Sequence, residues 1–205
     1  LFFGLFLVLL LLSVIAGRVI PSFTRNWLKQ QNAIHFPVPF GRFDVLTTFA
    51  ILILLVVLMY GNDLWSGWTA AGVATLHAIR LLRWRGWQCG AEPLVWILHV
   101  AYAWIPVGFG LMAFSYLTEY FSLAAALHAL TAGAMATLIM AMMTRASLGH
   151  SGRGLNANTP TTLAYIMLVG SVLSRVFGET ETAYFISGGL WIVAFGIFSA
   201  VYVPI

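Results

Sequence analysis

The stretch LFFGLFLVLLLLSVIAGRVI, residues 1–20, has no charged side chain before Arg18. About 20 apolar residues are enough for an α-helix to cross the hydrocarbon core of a bilayer. The run is too long for the core of a signal peptide, which is about 7–15 residues, and no basic region or small-residue cleavage site accompanies it. It therefore predicts a membrane-spanning helix. Because the sequence begins with Leu1 rather than Met, we also expect a piece of a longer chain.

The rest of the sequence has the same character. Of 205 residues, 61% are hydrophobic and 8% are charged, whereas a soluble domain carries about 25% charged residues. Lipid offers the backbone no hydrogen-bond partners, so the spans must be helical. We expect an all-α transmembrane bundle of about seven spans that forms a single domain over residues 1–205. The apolar runs lie at 1–20, 44–60, 64–83, 93–117, 121–143, 159–177 and 183–203.

Basic side chains gather on alternate connections between these runs. They flank the first, third and fifth connections: Arg18, Arg25, Lys29, Arg42, Arg80, Arg83, Arg85, Arg145 and Arg153. The other connections hold Asp63, Glu119, Glu179 and Glu181. Lys and Arg favour the cytoplasmic side, so we expect the N-terminus outside and the C-terminus inside. Arg175 is the exception, and Glu179 lies four residues away for pairing.

Two connections on the basic side are long. Residues 21–43 contain Pro21, Pro37 and Pro39, and we expect a short interfacial helix in their middle. Residues 143–153, MTRASLGHSGR, are predicted to form a loop, whose arginines serve topology and headgroup contacts in the simplest interpretation. His35 is predicted to be a solvated loop residue.

Three histidines lie inside predicted spans, where an ionisable group is costly and usually faces the bundle interior. His77 and His99 lie about six residues from the same end of two consecutive helices, at equal depth by a rise of 1.5 Å per residue. That placement suits a bis-imidazole haem. Arg80 shares a helix face with His77 and is a candidate partner for a haem propionate. The alternative is that the histidines bond across helices and Arg80 extends to the interface.

His128 lies near the opposite end of the fifth span, so it is a candidate for a second metal site or for an interhelical hydrogen bond. Beside it runs a stripe of small residues that predicts close helix packing: Ala125, Ala129, Gly133, Thr137 and Ala141. The methionines of this span are potential Cu(I) ligands, although methionine also fills gaps in apolar cores.

No nucleophile–base pair, phosphate loop or His-Glu-x-x-His motif is present in the sequence. Asp44 and Glu92 are placed at helix ends, which weakens the case for a carboxylate proton relay. A transporter stays open, because Pro106 with Gly108 and Gly110 predicts one helix break. A structural or assembly subunit is the third possibility. Cys89, the single cysteine, has no cysteine partner.

Three segments resemble the C-terminal half of the NnrS family, bacterial inner-membrane proteins described as haem- and copper-containing and linked to nitric oxide. They are GRVIPSFTRN (17–26), LHAIRLLRW (76–84) and HALTAGAMATLIMAMMTRASLGHSGR (128–153). The resemblance implies a multi-pass protein of the bacterial inner membrane that takes part in the nitrosative stress response. It implies haem, which we expect as haem b, and copper, but no defined reaction.

With the resemblance, Arg145 and Arg153 become candidate partners for haem propionates, and His150 between them a candidate metal ligand. Glycines nearby let the backbone fold around an anion. The candidate metal ligands are then His77, His99, His128 and His150. We expect the lipid bilayer and nitric oxide or a related small molecule as partners, and no nucleic acid; protein partners and any catalysed reaction stay open.

Overall fold

The computed structural model describes residues 2–118 and 120–204, and every regular element in that range is helical. The predicted all-α class is therefore confirmed. A short 3₁₀ turn, Gly86–Cys89, joins α3 to α4. The seven long helices are α1 Phe2–Gln30, α2 Arg42–Tyr60, α3 Asp63–Leu82, α4 Pro93–Thr118, α5 Leu123–His150, α6 Thr159–Phe177 and α7 Glu181–Tyr202.

Six of these seven helices are long and apolar enough to cross a membrane, whereas about seven spans were predicted. The exception within the described residues is α3. Its side chains Ser66, His77 and Arg80 lower its hydropathy but are buried inside the bundle, while Trp65 and Leu82 are exposed. The predicted position of this helix is correct. It is less apolar than the other helices because it carries polar side chains, which contact protein instead of lipid.

Two predicted loops are helical instead. α1 continues through Pro21 to Gln30, so the separate interfacial helix predicted in residues 21–43 is wrong. A proline inside a helix costs about 3 kcal/mol, and contacts beyond it offset that cost, since Thr24 and Leu28 are both buried. Likewise α5 continues through Arg145 to His150, so most of the predicted loop at 143–153 is helix.

The irregular backbone lies in α5 rather than in α4. α4 runs without a break through Pro106, whereas Ala129–Ala136 of α5 is a π-helix. Glycines let the two helices approach here: a side chain at Gly108 would overlap Leu130, and one at Gly133 would overlap Trp104. All five members of the predicted small-residue stripe are buried, which confirms close packing along α5.

α4 lies at the centre of the bundle and packs against α1, α3 and α5. α7 packs mainly against α6 and leaves apolar side chains such as Phe185 and Ile192 exposed, as expected for a face against lipid. The α1–α4 region encloses the largest buried side chains, Trp84, Arg80 and Tyr102. Polar groups at the centre of the bundle therefore come mainly from α1 to α4.

Candidate functional site

A buried ion pair joins α2 to α3. The Arg80 Nε donates to Asp44 Oδ1 at 2.7 Å, and both residues are almost fully buried. Asp44 Oδ2 also accepts the backbone N–H of Gly41 at 2.9 Å, which caps α2. Removing one member of such a pair leaves an uncompensated buried charge, which is strongly destabilising. The pair therefore fixes α2 against α3.

The remaining N–H groups of Arg80 face α1 and α4. Nη1 donates to the Ser13 carbonyl at 3.1 Å, to Ser13 Oγ at 2.9 Å and to Tyr102 Oη at 3.2 Å. Nη2 has no hydrogen-bond partner among the described residues and faces Gly17, where any side chain would overlap the guanidinium. Arg80 thus stays in the core rather than extending to the interface, and Asp44 takes the position predicted for a propionate.

His77 is fully buried and uses one ring nitrogen. Its Nδ1 lies 2.7 Å from Tyr102 Oη. Its Nε2 has no hydrogen-bond partner of good geometry among the described residues, although the Thr47 carbonyl lies close to the ring. Phe109 packs against the same imidazole, with ring centroids 5.9 Å apart. His77 and Arg80, which were predicted to share a face of α3, both point into the bundle.

His99 is also buried, and its neighbours fix its tautomer. Its Nε2 lies 2.8 Å from Thr24 Oγ1, and that hydroxyl donates its single proton to the Ile20 carbonyl at 2.8 Å. Thr24 must therefore accept, so Nε2 carries the imidazole proton and Nδ1 carries the lone pair. Nδ1 has no partner within the described part of the chain. It packs against Gly86, where an added Cβ would overlap Nδ1 and Cγ of the ring.

The rings of His77 and His99 do not face each other across a slot. Tyr102 packs against His77 and against Trp84, with centroid distances of 5.7 Å and 4.4 Å, and Trp84 packs against His99 at 6.4 Å. Protein interiors are close-packed, so a porphyrin between the two imidazoles would have to displace both aromatic rings. The residues present do not fit a haem held by this pair.

A small metal ion fits the His99 ring better than a porphyrin does. Nδ1 is the ring nitrogen nearer the backbone of α4. A planar macrocycle bound to it would overlap α4, whereas a single ion would not. An apolar cavity of about 310 Å³ adjoins the ring between α3 and α4, with walls that include Trp87 and Trp96. No three His, Cys, Asp or Glu side chains cluster within residues 2–118 and 120–204, so such an ion needs further ligands.

Arg145 and Arg153, the two arginines predicted to bind haem propionates, do not line the same cavity. Arg145 is half-buried, with its guanidinium 4.0 Å from the centre of the Phe23 ring. Arg145 and His150 line one cavity of about 370 Å³ together with Phe23 and Met142. Arg153 lies outside that cavity and is exposed to solvent. One imidazole, one guanidinium and apolar walls suit an acidic amphiphile, the chemical class to which haem belongs.

His128 lies at the other end of α5, far along the helix from Arg145. It lines a cavity of about 150 Å³ with Arg175, Glu179 and Tyr184. The Arg175 guanidinium stacks 4.4 Å from the centre of the Tyr184 ring. No ion pair joins Arg175 to Glu179 in the described part of the chain, so the pairing expected from their spacing is not formed.

Several residues of the site were not predicted. Asp44 was assigned to a helix end, and Ser13, Thr24 and Tyr102 were not singled out. One signal for Asp44 was available: it is the third residue of an apolar helix, and the next helix carries an arginine, Arg80, that could pair with it. No sequence signal indicates which hydroxyl meets which imidazole, because that depends on how each helix is rotated within the bundle.

Cys89 is expected to be chemically inert. Its side chain is fully buried in the turn between α3 and α4, and burial raises the pKa of its thiol to about 11. Only the thiolate reacts, so at pH 8 we expect alkylation by iodoacetamide about two hundredfold slower than for free cysteine, whose pKa is near 8.5. The rate should still rise with pH above 9. Equal rates for the folded and the SDS-unfolded protein would contradict this.

Comparison with known proteins identifies the family of the chain. No curated protein and no solved structure matches the chain. The family model described as NnrS protein matches residues 1–205, the whole chain, and so extends beyond the segments between Gly17 and Arg153 that carry the motifs. The chain, a bundle of mostly membrane-spanning helices around buried imidazoles, therefore belongs to the NnrS family.

Proposed function

We propose that the chain is a haem- and copper-binding protein of the bacterial inner membrane that takes part in the response to nitric oxide. The observation that carries the proposal is the state of His99. Its N–H is directed at Thr24, and its bare Nδ1 lone pair is buried beside Gly86 without a partner. Histidines that ligate metals typically donate their other N–H to a nearby group in this way.

His77 is assigned the same role. In the tautomer whose Nδ1–H donates to Tyr102, Nε2 keeps a free lone pair that can bind a metal. In the other tautomer Tyr102 donates to Nδ1 and the Nε2–H faces the Thr47 carbonyl, which leaves no lone pair free. The proposal therefore requires the first tautomer. Copper is the ion we assign to these two sites, because imidazole ranks among its preferred ligands.

The haem is assigned to the cavity between α1 and α5, whose volume of about 370 Å³ would take one edge of the macrocycle and leave the rest outside it. A porphyrin supplies four nitrogen ligands itself, so a single imidazole suffices on the protein side. His150 would hold the iron and Arg145 a propionate carboxylate, while Phe23 and Met142 contact the apolar macrocycle. Bound haem iron would supply a coordination position for a small gas. The residues of this chain bind and orient the group.

The two alternative functions fit the structure less well. A transporter usually carries broken helices at mid-membrane, whereas α4 is continuous through Pro106. A purely structural bundle would use its polar groups to join helices, as Ser171 and Ser187 do between α6 and α7. His77 and His99 instead each leave one buried nitrogen unused, which a fastening role does not explain.

The test is to purify the full-length protein from cells supplied with haem and copper, and to record its absorption spectrum and metal content. We expect a Soret band together with bound copper. His77→Gln and His99→Gln should lower the copper content, and Arg145→Gln should lower the haem content. His35→Ala is the control, because His35 is exposed in the loop before α2. A preparation that contains neither metal nor haem would refute the proposal.

A sharper variant leaves both histidines in place. Gly86→Ala places a methyl group that would overlap Nδ1 and Cγ of the His99 ring, so the ring must shift from its observed position, and we expect copper content to fall while the Soret band persists. Gly90→Ala is the matched control four residues away, because it has a helical backbone and no atom within 4 Å of an added Cβ. Both proteins are checked by thermal unfolding. Equal copper in the two folded variants would contradict an ion at His99.

A further inference from the structure

The cavity at His128, unlike the cavity beside His99, has charged side chains in its wall. Arg175 and His128 are both half-buried in its wall, whereas Glu179 is exposed. Solvent screens an exposed charge more strongly than a buried one. The side chains that act inside the cavity are therefore a fixed cation and an imidazole. This charge pattern disfavours the metal site that the sequence predicted for His128, because a guanidinium repels a metal cation.

The Arg175 side chain is also held in position. Its Cζ lies over the Tyr184 ring, 4.4 Å from the ring centre, and where a guanidinium stacks on a ring in such a cation–π contact the ring covers one face of the group. The N–H donors of a guanidinium lie in its plane, so stacking leaves the edge free. That edge matches the spacing of two oxygens of a carboxylate or phosphate-like anion.

The size of the cavity sets the size of the ligand. Its volume of about 150 Å³ corresponds to the share of about five water molecules, which suits an ion of four or five heavy atoms but not a nucleotide or a haem. Ser122 lines the same cavity and contributes a hydroxyl. That hydroxyl already accepts the backbone N–H of Ala125 and keeps its own proton for a further acceptor.

From these features we propose that the cavity formed by His128, Arg175 and Tyr184 binds a small inorganic oxyanion such as nitrate or phosphate. Arg175 binds two of its oxygens, and His128 and Ser122 donate to the others. The site is independent of the proposed haem and copper sites, which lie in other parts of the bundle. It occupies the end of α5 opposite the Arg145 cavity.

The proposal is tested by titrating the full-length protein in detergent with sodium nitrate and with sodium phosphate, using calorimetry in a gluconate buffer. We expect saturable binding of at least one of these anions. Arg175→Gln should weaken it by about tenfold or more, as expected for the loss of a charge-assisted hydrogen bond. Arg42→Gln is the control, because Arg42 is exposed at the start of α2, and it should bind like the wild type.

Glu179→Gln separates an anion site from a cation site by the sign of its effect. Removing this negative charge should tighten anion binding by about twofold, because solvent screens Glu179, and the exposed position leaves folding intact. Copper or zinc bound at His128 would respond in the opposite direction to both variants. Absence of saturable anion binding, or anion binding that Arg175→Gln leaves unchanged, would overturn the proposal. Binding of copper or zinc that Glu179→Gln weakens would reassign the cavity to a metal.

Discussion

Asp44→Asn should lower the free energy of unfolding by about 3–5 kcal/mol, the loss typical of a broken buried ion pair. Asn has nearly the same size and still offers an oxygen to the Gly41 N–H, so the variant removes the charge and little else. Arg80, which is fully buried, would then keep its positive charge without a counter-ion. Thermal and denaturant unfolding of the purified protein in detergent measure the effect.

Asp63→Asn is the matched control for this prediction. Asp63 lies in the first turn of α3 and is exposed, so its loss should change stability by less than about 1 kcal/mol. The double variant Asp44→Leu with Arg80→Met should recover much of the loss, because apolar replacement of a whole buried pair is often neutral. If Asp44→Asn proves as stable as Asp63→Asn, the ion pair does not hold α2 against α3.

Gly17→Ala should cost about 1–3 kcal/mol, the range for inserting a methyl group into a packed core. The new Cβ would overlap the Arg80 guanidinium, which Asp44 and Ser13 hold in place from other sides. Gly4→Ala on the same helix meets no atom within 4 Å and should leave the midpoint unchanged or slightly higher. Equal unfolding midpoints for the two variants would mean that the Arg80 side chain moves aside at little cost and that the close packing of Gly17 against it does not stabilise the bundle.

The positions of the helices were the most predictable feature. They were predicted best where the sequence changes sharply from polar to apolar at both ends of a helix. The predicted run 159–177 coincides with α6, because Asn158 caps its start and Gly178 follows its end. The ends of α1 and α5 were predicted too early. Beyond Pro21 and Met143 the sequence turns polar, and only the contacts of residues such as Thr24 and Leu148 with the bundle keep the chain helical.

The site was predictable in its residue types but not in its partners. Periodicity placed His77 and Arg80 on one face, and both are buried. It could not give the rotation of one helix against another, so the pairing of Arg80 with Asp44 and the wall of Tyr102 between the two imidazoles were not foreseen. Equal depth along neighbouring helices is therefore insufficient evidence for a shared haem.

X-ray absorption spectroscopy at the copper and iron edges of the full-length protein tests the central claim most directly, because it detects imidazole bound to either metal in any oxidation state. We predict imidazole scattering at the copper edge in the wild type that is lost in the His77→Gln/His99→Gln double variant and retained in His35→Ala. A copper edge without imidazole scattering, or one that the double variant leaves unchanged, would contradict the assignment of these buried rings as metal ligands.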